Sequence, residues 1–158
     1  LFRRSWIDRI GGYPEWLAHG EDLWLDRAIW RAGGWFCHAS KADVGIRPRS
    51  TVSAFARQYF QYAAGDGHAG MLVHRHIIRF GAYGLGIVLF SLPSAVAKVL
   101  LGVLVFGYLW RVLRRAPVMI QRTESAKPIL AVVLMPILRI VGDVSKMAGF
   151  IAGSCRRL

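Results

Sequence analysis

The sequence is poor in the residues that build metal centres and disulfide frameworks. Its two cysteines, Cys37 and Cys155, lie far apart and belong to no Cys-x-x-Cys or Cys/His ligand spacing. A zinc site is therefore not expected. The basic segments indicate a cytosolic, reducing side, where a disulfide would not form. No internal repeat and no low-complexity segment is visible.

Acidic residues are scarce as well. Nine Asp and Glu stand against 21 Lys and Arg, which gives a formal net charge of +12. A basic excess suits either nucleic acid or an anionic membrane face. The hydrophobic share of 54% favours the membrane. We expect no nucleic-acid partner, because the aromatic residues of 1–76 alternate with acids and glycines rather than lining a basic groove.

No signal peptide is visible in these residues either. The chain begins at Leu1-Phe2-Arg3-Arg4, without Met, in what reads as the middle of a domain. We therefore expect a piece of a longer protein.

The first predicted helix begins at the paired carboxylates Glu21-Asp22. Gly11-Gly12 breaks any earlier helix, and acidic residues are favoured at the positive end of a helix. Gly33-Gly34 is a good C-terminal stop. Trp35-Phe36-Cys37 then predicts a short strand, with His38 in it as a structural residue.

A second helix is predicted at about 51–64, because its apolar residues follow helical spacing. Ser50 or Thr51 can cap it. We predict a loop at 65–68, where two glycines occur.

A long apolar tract follows, in which Lys98 is the only charged residue between Phe80 and Trp110. One helix of that length exceeds the ~30 Å hydrocarbon core. A hairpin that turns near Pro93 keeps both basic flanks cytoplasmic, as the positive-inside rule favours. Because its first arm is short, a shallow re-entrant hairpin and one long tilted helix stay open. The flanks are His74, Arg75, His76 and Arg79 before the tract, and Arg111, Arg114 and Arg115 after it.

The rest of the chain reads as a polar linker at 116–127 followed by a second apolar stretch. Three polar residues then recur at spacings of four and three, which places them on one face of a helix: Arg139, Asp143 and Lys146. Such an amphipathic helix suits a membrane interface, and the basic tail Arg156-Arg157 suits anionic headgroups.

Two groups of residues are candidates for chemistry. Glu21 and Asp22 either cap a helix or supply a carboxylate that accepts a proton from a hydroxyl group. Arg49, Arg57, Gln58, Gln61 and Tyr62 combine guanidinium, amide and phenol groups, which recognise phosphates and sugar hydroxyls. Taken on their own, Tyr59, Phe60 and Tyr62 are more typical of a core.

In order along the chain, the motifs are Phe-Arg-Arg, Gly-Gly-Tyr-Pro-Glu, Glu-Asp, Arg27, Gly33, Pro-Arg-Ser-Thr and Arg-Gln-x-x-x-Tyr. Together they resemble the second half of a family 2 glycosyltransferase, nearest to its membrane-linked exopolysaccharide (succinoglycan-type) branch. The resemblance covers about residues 1–68, and more loosely the tail. It implies an α/β fold: the C-terminal half of a GT-A (Rossmann-like) domain at 1–76. Helical membrane segments would follow, a transmembrane or re-entrant hairpin at 77–115 and an interfacial helix within 116–158.

The resemblance also implies an inverting transfer of a sugar from a nucleotide-sugar donor to a lipid-linked or polysaccharide acceptor. Asp22, beside Glu21, is the expected general base. Gly12 and Tyr13 would shape the acceptor site. The family's Gln-x-x-Arg-Trp motif matches residues 58–62 and would lie near the donor pyrophosphate.

This chain departs from that motif, with Gln61 where the family has Arg and Tyr62 where it has Trp. Arg57 or Arg49 is the hypothetical source of the missing charge. Ile46 also stands where many relatives have His.

A divalent metal, Mg²⁺ or Mn²⁺, is expected for the full-length enzyme, since the diphosphate leaving group needs counter-charge. Its Asp-x-Asp ligands and the nucleotide-binding half are not in this sequence, so the chain alone should be inactive. We expect the cell inner membrane as location, with the catalytic part cytoplasmic. The alternative is a small, basic, non-enzymatic membrane protein or assembly subunit.

Overall fold

The computed structural model describes residues 3–38, 42, 44–45, 47–115, 117–118 and 128–157. Over these residues the chain is helical and forms no β-strand. The predicted α/β, Rossmann-like fold is therefore wrong for the part of the chain described. The six helices are α1 (Arg4–Ile10), α2 (Glu21–Arg31), α3 (Val52–Ala69), α4 (Val73–Ser91), α5 (Ala95–Leu113) and α6 (Pro128–Arg157).

The strand predicted at Trp35-Phe36-Cys37 is also wrong. Residues 34–38 have irregular backbone, and the side chain of Trp35 is 92% exposed. Aromatic residues favour a strand only where a neighbouring strand supplies ladder hydrogen bonds and packing. The described residues offer this segment no such neighbour. His38, placed in that strand by the sequence, lies in the same irregular stretch.

The predicted fold class also included helical membrane segments. Of the helices that the structure describes, none is both long and apolar enough to cross a membrane. Lys98 divides the apolar tract between Phe80 and Trp110 into two shorter uncharged stretches. The linker predicted at 116–127 lies outside the described residues apart from 117 and 118.

Helix α1 was not predicted from the sequence, but the predicted boundaries of α2 and the predicted start of α3 agree with the structure. Helix α2 begins at Glu21 and ends before Gly33, which has a φ of +88°. Thr51 caps α3, since its side chain accepts a hydrogen bond from the amide of Ala54 at 3.2 Å. The loop predicted at 65–68 is wrong, because α3 continues to Ala69.

The chain divides into two compact units, Leu1–Val73 with Ser145–Leu158, and His74–Val144. In the first unit, α1 packs against α2. Its core is small and consists of side chains from α2, α3 and the turns beside them: Leu17, Leu25, Ile29, Ala63 and Met71.

Glycines let α3 approach the end of α6 at backbone distance. A Cβ atom on Gly149 or Gly153 would overlap the backbone of Phe60 or Ala64, and one on Gly67 would overlap Phe150. This close approach explains why glycine does not end α3 at 65–67. Glycine is needed at positions 65 and 67 because it has no side chain that would block the neighbouring backbone.

We expect Gly153→Ala to destabilise the protein by about 1–3 kcal/mol, because the new methyl group forces the two helices apart. Gly107→Ala is the matched control. Gly107 is also helical, but its Cβ position has no neighbour within 4 Å. Gly107→Ala should therefore raise the free energy of unfolding by up to about 1 kcal/mol. Urea unfolding of both variants checks this. A similar effect of the two substitutions would contradict the packing.

In the second unit, α4 and α5 form an antiparallel hairpin that turns at 92–94, near Pro93 as predicted. Tyr83 and Tyr108 join their hydroxyl groups at 3.1 Å, and the Cβ position of Gly86 lies 3.8 Å from Leu104. Near the turn, the Lys98 ammonium donates to the carbonyl oxygen of Phe90.

A buried carboxylate joins three helices of this unit. Asp143 of α6 is 4% exposed and accepts from Arg79 Nε at 2.9 Å and from the Tyr108 hydroxyl at 2.8 Å. Arg139 Nε lies 3.3 Å away. Burial and hydrogen bonds to Tyr83 and Asp143 raise the pKa of Tyr108, so its phenol keeps the proton that it donates. The polar face predicted for a membrane interface thus contacts protein at Asp143.

Candidate functional site

An open pocket lies beside the first half of α3, in the first unit. Its volume is about 320 Å³, and its lining residues are mostly polar. Four of the predicted substrate-binding residues meet in it. The lining consists of Arg49, Ser53, Ala54, Arg57, Gln58 and Gln61.

The groups in this pocket are suited to an anion that carries hydroxyl groups. Two guanidinium groups supply several N–H donors and a fixed positive charge. The first turn of α3 adds the positive end of a helix dipole. Gln58 and Gln61 can both donate and accept, as sugar hydroxyls require. A phosphorylated sugar therefore matches the pocket's chemistry.

Tyr62 does not line the pocket but is bonded to a residue that does. Its hydroxyl accepts a hydrogen bond from Gln58 Nε2 at 2.7 Å, and its side chain is 52% exposed. This bond orients the Gln58 amide. Tyr59 instead belongs to packing, because its ring contacts the tilted Phe55 ring, with centroids 4.4 Å apart, and its centroid lies 4.3 Å from the ammonium of Lys146.

The carboxylate pair lies in the first turn of α2. Gly20 is the N-cap residue and makes no side-chain cap. Asp22 is exposed, and its Oδ1 accepts a hydrogen bond from the Leu23 amide at 2.7 Å. Glu21 is half-buried. The capping interpretation is thus correct in part, but the second oxygen of Asp22 is open to a ligand.

One face of α3 relates the carboxylate pair to the pocket. Ala54, Gln58, Gln61 and Gly65 share this face because their spacings are four, three and four. Gly65 is packed so closely against the backbone of His19 that a Cβ would overlap it. The segment that leads into Glu21-Asp22 therefore crosses α3 about 6 Å, or four residues, beyond Gln61.

Gly12 and Tyr13 lie elsewhere, in the turn after α1. Gly12 has a φ of +84°, and Tyr13 is 51% exposed. Neither residue is part of the pocket lining. The structure therefore does not bring these two predicted acceptor residues together with the arginines.

Three features of the structure were not predicted from the sequence. Ser53 lines the pocket, and a serine in a helix's first turn gives no signal of that. Trp16 contacts the rings of Trp24 and His68, with centroids 6.4 and 5.2 Å away, and so joins the start of α2 to α3. A second, apolar concavity of about 510 Å³ is lined by Trp30, Gly33, Gly34, Trp35 and Phe36. Aromatic residues around a Gly-Gly pair could have indicated it.

Among the residues that the structure describes, no three His, Cys, Asp or Glu side chains come together as metal ligands. The described residues therefore do not fit the Mg²⁺ or Mn²⁺ expected for the full-length enzyme, and no step proposed below passes through a metal.

Comparisons with known protein families, with curated proteins and with solved structures returned no match.

Proposed function

We propose that this chain is the acceptor-side part of an inverting glycosyltransferase resembling family 2. It would transfer a sugar from a nucleotide-sugar donor to a lipid-linked or polysaccharide acceptor at the membrane. The observation that carries the proposal is the pocket beside α3. It brings together Arg49, Arg57, Gln58 and Gln61, four residues for which the sequence predicts substrate binding.

The reaction requires a base, and we assign this role to the exposed carboxylate of Asp22. Its carboxylate takes the proton of an acceptor hydroxyl while that oxygen attacks the anomeric carbon of the donor. The new C–O bond forms as the bond to the diphosphate breaks, and the nucleoside diphosphate leaves with the electron pair. Because attack and departure occur on opposite faces, the anomeric configuration inverts. Glu21 is the neighbouring carboxylate and adds negative charge beside the base.

The pocket's part is to hold the diphosphate and the sugar. Arg49 and Arg57 pair with phosphate oxygens, where charge-assisted hydrogen bonds are strongest. They also supply charge that the family motif would provide from an arginine at the position of Gln61. Gln58, oriented by Tyr62, and Gln61 bind sugar hydroxyls. Negative charge on the leaving phosphate is thus stabilised by groups already in place.

The proposal includes a location. A basic chain with a large apolar surface suits the cytoplasmic face of the cell inner membrane, where headgroups are anionic. An acceptor anchored in the same membrane would then diffuse in two dimensions past the carboxylate pair.

Binding of a nucleoside diphosphate to the chain tests the pocket. We expect Arg57→Ala to weaken binding of uridine and guanosine diphosphate about 10- to 100-fold, since a hydrogen bond to a charged group contributes roughly 1.5–3 kcal/mol. Arg31→Ala, which removes an equal charge from the exposed end of α2, should leave affinity within about twofold. Isothermal titration calorimetry measures both. Equal losses in the two variants would reduce the pocket to a general charge effect and overturn its assignment.

A further inference from the structure

The outer surface of the α4–α5 hairpin is apolar and uncovered. Eleven Leu, Ile, Val and Phe side chains from Leu85 to Phe106 are exposed. Six of them have side chains that are 64–70% exposed: Ile87, Phe90, Val96, Val99, Val103 and Phe106. Soluble surfaces rarely carry so continuous an apolar area without a partner.

Charge at the two ends of the hairpin distinguishes the partner. The open end carries exposed basic residues, His74, Arg75, Arg114 and Arg115, and no acidic residue occurs from 74 to 115. An apolar surface with a cationic base complements a bilayer with anionic headgroups. A protein partner would not require apolar residues at the tip of the hairpin and basic residues at its open end.

The hairpin's length indicates how deep it reaches. In α4, the uncharged stretch from Phe80 to Ser91 has 12 residues, or about 18 Å of helix. The hydrocarbon core is about 30 Å thick. We propose that the α4–α5 hairpin enters one leaflet of an anionic membrane and returns to the same side. This anchor deepens the membrane location in the proposed function, but it needs no sugar-transfer activity.

Lys98 is the one charged residue that insertion would carry inward. Its ammonium already donates to the Phe90 carbonyl oxygen and lies 4.9 Å from the centre of the Phe90 ring. Both contacts replace water around the charge. Contacts within the hairpin therefore lower the cost of moving the Lys98 ammonium into an apolar environment. The many exposed apolar side chains of the hairpin offset the rest of that cost.

Flotation of the full chain with lipid vesicles tests the anchor. We expect binding to vesicles of equimolar phosphatidylcholine and phosphatidylglycerol, and much weaker binding to phosphatidylcholine alone. The double variant Phe90→Glu, Val96→Glu should bind about 100-fold less, since each carboxylate would enter hydrocarbon. The matched control Trp35→Glu, Val44→Glu removes exposed apolar side chains and adds the same charge in the other unit. It should lose less than tenfold.

Spin labels locate the hairpin in the bilayer. In a chain with Cys37 and Cys155 replaced by serine, a label at Phe90→Cys should lie in the hydrocarbon. Labels at Ile77→Cys and Leu113→Cys should both stay accessible to a nickel chelate outside the vesicle. A label at 90 that reaches the vesicle interior would overturn the one-leaflet insertion. Equal losses of vesicle binding in the two double variants would also overturn it. A third contradicting result is a wild-type protein that does not bind vesicles but self-associates in solution, with Phe90→Glu, Val96→Glu abolishing the self-association.

Discussion

Replacing Asp143 by alanine is expected to cost about 3–5 kcal/mol of the free energy of unfolding. The carboxylate is 4% exposed, accepts hydrogen bonds from Arg79 and Tyr108, and forms an ion pair with Arg139. Removing it leaves the Arg79 guanidinium, whose side chain is 17% exposed, without its anion. An uncompensated buried charge costs far more than the net worth of the pair.

The chain contains a suitable control for that experiment. Asp8 also pairs with an arginine four residues away, Arg4, but at 3.7 Å and with both side chains largely exposed. Asp8→Ala should therefore cost less than about 1 kcal/mol. Urea unfolding followed by circular dichroism compares the two.

Two further variants keep the test decisive if Asp143→Ala does not fold. Asp143→Asn can still accept from Tyr108 and should lose less. The double variant Arg79→Met, Asp143→Leu removes both charges and should recover part of the stability. If Asp143→Ala unfolds at the same urea concentration as Asp8→Ala, the carboxylate does not hold the three helices together.

The local signals in the sequence worked where one residue decides the backbone. Three local signals each determine the backbone of the residues next to them. They are the acidic pair that begins at Glu21, the hydroxyl of Thr51 and the helix break at Pro93. Helix α2, the cap of α3 and the turn of the hairpin were therefore predictable.

The errors came from properties that depend on distant partners. Gly65 and Gly67 resemble loop residues, yet each admits another backbone segment against α3. Asp143 resembles a surface residue of an amphipathic helix, but its partners Arg79 and Tyr108 are 64 and 35 residues away. The strand at 35–37 required a neighbouring strand. Sequence spacing carries no information about such partners.

The candidate site was also predictable only in part, where neighbouring residues of one helix form it. Helical spacing predicts that Gln58, Gln61 and Tyr62 share a face, and of these three Gln58 and Gln61 line the pocket. Arg49 joins them because it directly precedes the helix. Gly12 and Tyr13 belong to a separate turn, and only the resemblance had grouped them with these residues.

The largest effect on activity is expected at Asp22. A general base contributes roughly 10²- to 10⁴-fold to the rate, and asparagine cannot accept the proton. Asn keeps the shape of Asp and can still accept from the Leu23 amide, so the fold should be unchanged. Asp26→Asn is the matched control, since Asp26 lies one turn further along the same helix.

The transfer of labelled sugar from a panel of nucleotide sugars to membrane lipid and polysaccharide acceptors tests the central claim most directly. It is measured with the protein as the cell makes it, with the anomeric configuration of the product read by NMR. We predict transfer with inversion, a rate about 10²- to 10⁴-fold lower in Asp22→Asn, and a rate close to wild type in Asp26→Asn. Transfer with retention, no transfer from any nucleotide sugar, or an unimpaired Asp22→Asn protein would contradict the account.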